Sequence, residues 1–179
     1  EISGRERIEF HYLEILLKHG ASINRITEKG YSALDYSVCF GSPKLTALLL
    51  EQGAEITDNT IACMIEQIEK GKCQYALYRK LLSCYEEKTS ANINEVLKVA
   101  ILGNGEQLQD LLREHTIEEK YKIPVLFFTA AYGDVSTLQL LLEQDNDISK
   151  IDGTGNTLFT VAKHSENVEL VDYIEKEGL

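Results

Sequence analysis

One motif returns along this chain about every 33 residues, and that return limits the fold more than any other property of the sequence. The stretch LEILLKHGASIN (Leu13–Asn24) matches LTALLLEQGAEIT (Leu45–Thr57). Gly20 and Gly53, Ala21 and Ala54, Ile23 and Ile56, Leu16 and Leu49, and Leu17 and Leu50 all stand 33 residues apart. A third copy, LQLLLEQDNDIS (Leu138–Ser149), replaces the Gly-Ala with Asp145-Asn146 and keeps Leu141, Leu142 and Ile148 in place. A second landmark, usually Gly, precedes each leucine cluster. Projected along the chain it falls at Ile8, Gly41, Gly71, Gly103, Gly133 and Glu166, with steps of 33, 30, 32, 30 and 33 residues.

The unit between landmarks reads as two short helices. Tyr31–Phe40 has Leu34, Ser37 and Val38 near one face. Gly41 accepts the left-handed conformation that stops a helix. Ser42 is placed to cap a second helix, with Pro43 at the first position, where its missing N–H costs nothing. That helix runs to about Glu51 with Leu45, Leu48 and Leu49 on one side, and Gly53 stops it. Neither helix is long enough to be stable alone. Stacked on copies of itself, each pair buries both faces.

These residues resemble the ankyrin repeat family, whose pattern is roughly G-x-T-P-L-H-x-A, a Gly, a leucine-rich helix and G-A-x-(V/I)-N. The first part reads GYSALDYS (Gly30–Ser37) and GNTLFTVA (Gly155–Ala162), with a shifted version, PVLFFTAA, at Pro124. The second reads GASIN at Gly20 and GAEIT at Gly53. The resemblance implies an all-α ankyrin-repeat solenoid over residues 1–179: a partial repeat (about 1–24) and five further ones (25–57, 58–88, 92–117, 118–151 and 152–179). Repeat three lacks the Gly-Ala ending and has an irregular link through Glu86–Ala91. Sequence drift is favoured there over a break between two sub-stacks. Glu1 is not Met and repeat one is incomplete, so a segment of a longer protein is expected.

Composition narrows the function. The net charge of −11 is uneven: residues 1–90 carry 11 Lys/Arg and 13 Asp/Glu (net −2), and residues 91–179 carry 7 and 16 (net −9). Such a surface repels phosphate backbones and anionic membranes, and suits a basic protein or peptide better. No apolar run is long enough to span a bilayer. Cys39, Cys63, Cys73 and Cys84 form no CxxC pair and are expected as reduced thiols, which suits the cytoplasm. His11, His19, His115 and His164 are too far apart in the repeat register to make a triad or metal cluster. Asp145-Asn146-Asp147 and Asp152 lack the later Glu and sixth-position Gly of a calcium loop. No cofactor, metal or catalytic residue is expected.

The family resemblance also implies where a partner would bind, on a concave face made by turn tips and first-helix ends. Position by position, the candidates are Tyr31, Phe40, Leu102, Tyr121, Tyr132, Asn156 and His164. Phe40, Leu102 and Tyr132 recur on one projected edge, out of phase with the leucine rows. The expected function is a monomeric protein-interaction module. The rival readings are a substrate-docking or regulatory part of a larger enzyme or secreted bacterial effector, which would work in the host cytoplasm, and a plain structural spacer.

Overall fold

A computed structural model describes residues 4–85, 93–144 and 150–178, with side chains from residue 11 onward. The Glu86–Ala91 link and the Asp145–Asp147 run lie outside the described residues. The described chain is all-α, with eleven helices and no strand. They are α1 (Gly4–Lys18), α2 (Ala33–Cys39), α3 (Pro43–Glu51), α4 (Asp58–Glu69), α5 (Tyr75–Cys84), α6 (Glu95–Leu102), α7 (Gly105–Glu114), α8 (Glu119–Tyr132), α9 (Val135–Gln144), α10 (Leu158–His164) and α11 (Val168–Glu177). Among them no helix is long and apolar enough to cross a membrane.

The helix ends follow from local chemistry. Ser32, Thr57, Asn94 and Thr157 each accept a hydrogen bond from the backbone N–H three residues on, opening α2, α4, α6 and α10. Asn104 and Asn167 do the same for α7 and α11. Ser42 stands at the cap position of α3, but its side chain makes no capping bond. The landmark ladder is visible in the backbone: Gly41, Gly71, Gly103 and Glu166 have φ of +65°, +73°, +78° and +58°. Gly133 departs, with φ −88°. Pro124 does not open its helix. It lies inside α8, which starts at Glu119, so the shifted motif marks the middle of that helix.

Packing divides the chain at repeat three. Helix α2 lies against α4, while α6, α8 and α10 lie side by side; α7, α9 and α11 form a second layer behind them. Helix α4 reaches α8, and α5 packs on α6 instead of continuing the second layer. Among the described helices, then, the second layer is interrupted at α5. Repeat three has no Gly-Ala turn to return its second helix to the outer layer. Tyr78, Leu81 and Leu82 of α5 instead bury themselves in one core with Leu97, Ile101, Phe127 and Phe128.

Polar ties cross between units. The Asp35 carboxylate, fully buried, accepts from the Ser32 N–H (2.7 Å) and the Thr57 hydroxyl (3.0 Å), and also from the Thr60 hydroxyl. One side chain thus joins the caps of α2 and α4. Gln67 Nε2 donates to the Cys39 carbonyl (2.6 Å) and Asn167 Nδ2 to the Gly133 carbonyl (3.0 Å). Cys39 and Cys63 are joined in a disulfide where α2 and α4 run side by side, Cα to Cα 4.7 Å. That corrects the expectation of four reduced thiols and removes its support for a reducing compartment. Cys73 and Cys84 are free; burial pushes the Cys73 thiol up to about 12.

Candidate functional site: an aromatic edge

The edge of repeat two begins at a rigid turn. Thr27 N–H donates to the Tyr31 carbonyl (2.9 Å), the Thr27 hydroxyl to the same carbonyl (3.1 Å), and Gly30 N–H back to the Thr27 carbonyl (2.9 Å). Asn59 Nδ2 of the next unit holds the Gly30 carbonyl at 3.0 Å. Repeat six builds the same turn, with Asp152 N–H to the Asn156 carbonyl (3.0 Å) and Gly155 N–H to the Asp152 carbonyl (2.9 Å). From the first turn a row of rings runs down α2. Tyr31 and Tyr36 have centroids 5.5 Å apart, and Tyr36 and Phe40, one helical turn apart, are stacked at 6.0 Å and 11°. Phe40 is 78 % exposed, and Ile26 beside the row is exposed too. An open groove of about 710 Å³ follows Tyr31 and Tyr36.

The other candidates meet a different fate. Repeat three lies over the inner face of α8. Glu69 pairs with Lys120 (2.9 Å) and accepts from the Tyr121 hydroxyl (2.9 Å), so Tyr121 is only 5 % exposed. The Lys120 ammonium and that hydroxyl hold the Glu69 carboxyl below the usual range. The Tyr75 ring meets Phe128 edge-on at 5.0 Å, and the Arg79 guanidinium sits 4.3 Å over the Tyr132 ring. Tyr132 is half-buried, and burial raises its phenol. At the far end the backbones of Gly71 and Gly153 touch: a Cβ on Gly153 would stand 2.2 Å from the Gly71 oxygen. Tyr121 and Tyr132 are thus engaged by the chain's own repeat three, while an opening of about 350 Å³ remains between that repeat, α8 and the turn at residues 151–153.

Leu102 is half-buried against the core. Asn156 is half-buried, its Nδ2 donating to Asp152 Oδ2 (3.0 Å). His164 is exposed, with Nδ1 2.6 Å from the Thr160 carbonyl at the end of α10. Of the seven candidates, Tyr31 and Phe40 share one surface, and Tyr36, which the register did not single out, completes it.

Asp152 is a junction, not an open ligand. Its carboxylate accepts from the Tyr75 hydroxyl (2.7 Å), the Thr154 N–H and hydroxyl, and the Asn156 N–H and amide. Burial opposes its ionisation, but these hydrogen bonds outweigh burial and hold it below the ordinary carboxylate value. Among the described residues no three His, Cys, Asp or Glu converge as metal ligands. The four histidines are exposed: His11 and His19 stand in and just after α1, His115 just after α7 and His164 at the end of α10.

No protein-family model and no curated protein matches the chain. Among solved structures it is similar to a chain in the complex of the Bd0816 predatory endopeptidase from Bdellovibrio bacteriovorus with immunity protein Bd3460. That likeness is 17 % identical, covers 92 % of this chain and 90 % of that chain, and has a TM-score of 0.35. At that score it bears on neither fold detail nor function.

Proposed function

We propose that this chain is an ankyrin-type array whose work is to hold another protein, without catalysis of its own, and that the partner docks on the edge of repeat two. The observation that carries the reading is the Tyr31–Tyr36–Phe40 row. Two of its rings stack on each other, and the outermost, Phe40, faces solvent. Tyr31 packs against the core at one end of the row while Phe40 stands free at the other, and aromatic side chains at a rigid edge are the usual anchors of protein contacts. The repeat period and the left-handed landmarks support the ankyrin-type assignment. The engagement of Tyr121 by Glu69 and of Tyr132 by Arg79 is the reason for choosing repeat two over those two residues.

The test is affinity capture with the wild-type chain and with Phe40→Ser, followed by cross-linking and mass spectrometry. The expected result is a partner that cross-links beside α2 and is lost from the Phe40→Ser sample. A partner retained by Phe40→Ser and cross-linked only along α7, α9 and α11 would reject the edge.

A further inference from the structure

The aromatic row ends beside the bond that joins two repeats. Cys39 is the last residue of α2, and Phe40 follows it. Its partner, Cys63, lies in the middle of α4, 3 % exposed beside the fully buried Ile61 and Met64. Cys39 itself is half-buried, and Phe40 and Gly41 beyond it are exposed. One turn along α4 from Cys63, Gln67 donates to the Cys39 carbonyl. The end of α2 is thus tied to α4 at two neighbouring points, one covalent and one a hydrogen bond.

The two thiols need more room than the bond between them. Bonded sulfurs stand about 2.05 Å apart, and free thiols separate to van der Waals contact. The Cys39 and Cys63 Cα atoms are 4.7 Å apart. That is near the short end of the range that disulfides span, about 4.4–6.8 Å. Cys63 has no room to retreat, because α4 is packed between α2 and α8. On reduction the movement falls on Cys39 and the exposed residues after it. The other end of α2 stays in place: Asp35 joins its cap to that of α4, and the Thr27 turn holds Tyr31. Phe40 stacks on Tyr36 only while the last turn of α2, closed by the Phe40 N–H to the Tyr36 carbonyl (2.9 Å), is intact.

We propose, on the reading of this edge as a docking site, that the Cys39–Cys63 disulfide is its redox latch: oxidised, it holds the three-ring row together, and a dithiol reductant frees the last turn of α2 and releases the partner. The chain's own thiols do not supply the electrons. Cys73 is buried and its thiol is pushed up to about 12, so it stays protonated. The exposed Cys84 is one thiol, which exchanges the bond without reducing it. With an external dithiol, one thiolate attacks the Cys39 sulfur, the more open of the two. The Cys39–Cys63 bond breaks, and Cys63 leaves as a thiolate that takes up a proton. The second thiol of the reductant attacks the mixed disulfide, closing the reductant's own disulfide and releasing the Cys39 thiol. Two electrons and two protons pass to the protein.

Dithiothreitol is the probe, on the whole chain carrying Cys84→Ser to prevent reshuffling. Alkylation with mass spectrometry reports the bond, and hydrogen exchange reports the edge. Oxidised protein should leave Cys39 and Cys63 unalkylated. After reduction the amides of Phe40, Gly41 and Ser42 should exchange about tenfold faster, with α8 and α10 unchanged. Cys39→Ser should show the reduced pattern with or without dithiothreitol. Affinity capture by the reduced chain should lose the partner that Phe40→Ser loses. Alkylation of both cysteines without reduction, equal exchange in the two states, or faster exchange throughout the chain would overturn the latch and leave the docking reading to the Phe40→Ser capture. A partner lost from Phe40→Ser but held equally by oxidised and reduced chain would overturn the latch and uphold the edge. A partner kept by Phe40→Ser would overturn the docking reading, and with it the latch's role in binding, whatever the exchange shows.

Discussion

Single residues fix the unit's geometry, and two of them can be tested directly. Glu166 takes the left-handed conformation that Gly41, Gly71 and Gly103 take at equivalent positions. A side chain there costs about 1 kcal/mol of backbone strain, partly offset by the stiffer unfolded chain. Glu166→Gly should therefore stabilise the protein by at most about 0.6 kcal/mol, read as a higher urea midpoint at unchanged slope. Asp152 gives a pH signature. Its folded pKa is depressed, so its contribution is complete above the unfolded value near 3.8 and is lost as pH falls through the lower folded value. Wild type should be more stable than Asp152→Asn at pH 7, with the gap narrowing below about pH 4. Urea titrations of both proteins at pH 7 and pH 3 measure it; a gap that stays constant would mean the carboxylate's charge plays no part.

At the scale of one helix, the same register position has opposite surroundings in α1 and α3. Leu16 and Leu49 stand 33 residues apart, yet Leu16 is 57 % exposed and Leu49 is 1 % exposed. The difference is the first helix: α2 covers α3, and nothing among the described residues covers that side of α1. Leu49→Ala should cost about 2–5 kcal/mol and Leu16→Ala less than about 1 kcal/mol, by thermal or chemical denaturation. Equal costs would show that Leu16 is covered as Leu49 is, against the exposure seen here. These elements were legible because their signals are local: Pro43 and Gly53 bracket α3, and Gly41 ends α2. Two were not. Helix α8 runs upstream of Pro124 because Lys120 and Tyr121 gain Glu69 as a partner, a contact 51 or 52 residues away that leaves no local mark. Phe40 was legible as an exposed edge residue, while Tyr36 was hidden by its place beside Asp35, inside the degraded motif.

For the whole molecule the question is whether it unfolds as a line of neighbours or as a closed unit. A plain repeat array has only nearest-neighbour terms, so a weak repeat splits its unfolding into steps. Here repeat three also touches repeats five and six, through Glu69–Lys120, Tyr75–Asp152 and the Gly71–Gly153 approach, over separations of 51 to 82 residues. The sequence carries the partners but not the pairing, since nothing in Gly71 or Gly153 alone names the other. These contacts tie repeat three to repeats five and six, and wild type should unfold in one transition. Gly153→Ala is the sharpest probe. Its Cβ would meet Gly71 backbone atoms at 2.2–2.6 Å, and backbone cannot rotate out of the way as a side chain can. Repeat six must then move away from repeat three, stretching the 2.7 Å Tyr75–Asp152 bond. The expected loss is about 1–3 kcal/mol, with a broadened or two-step urea transition. Hydrogen exchange should localise the first step to α4 and α5, whose amides would open before those of α8 and α10. A single transition shifted by less than about 0.5 kcal/mol, with exchange in α4 and α5 unchanged, would mean that the two glycines merely pass close by and that repeat three is held by the packing of α4 on α2 and of α5 on α6.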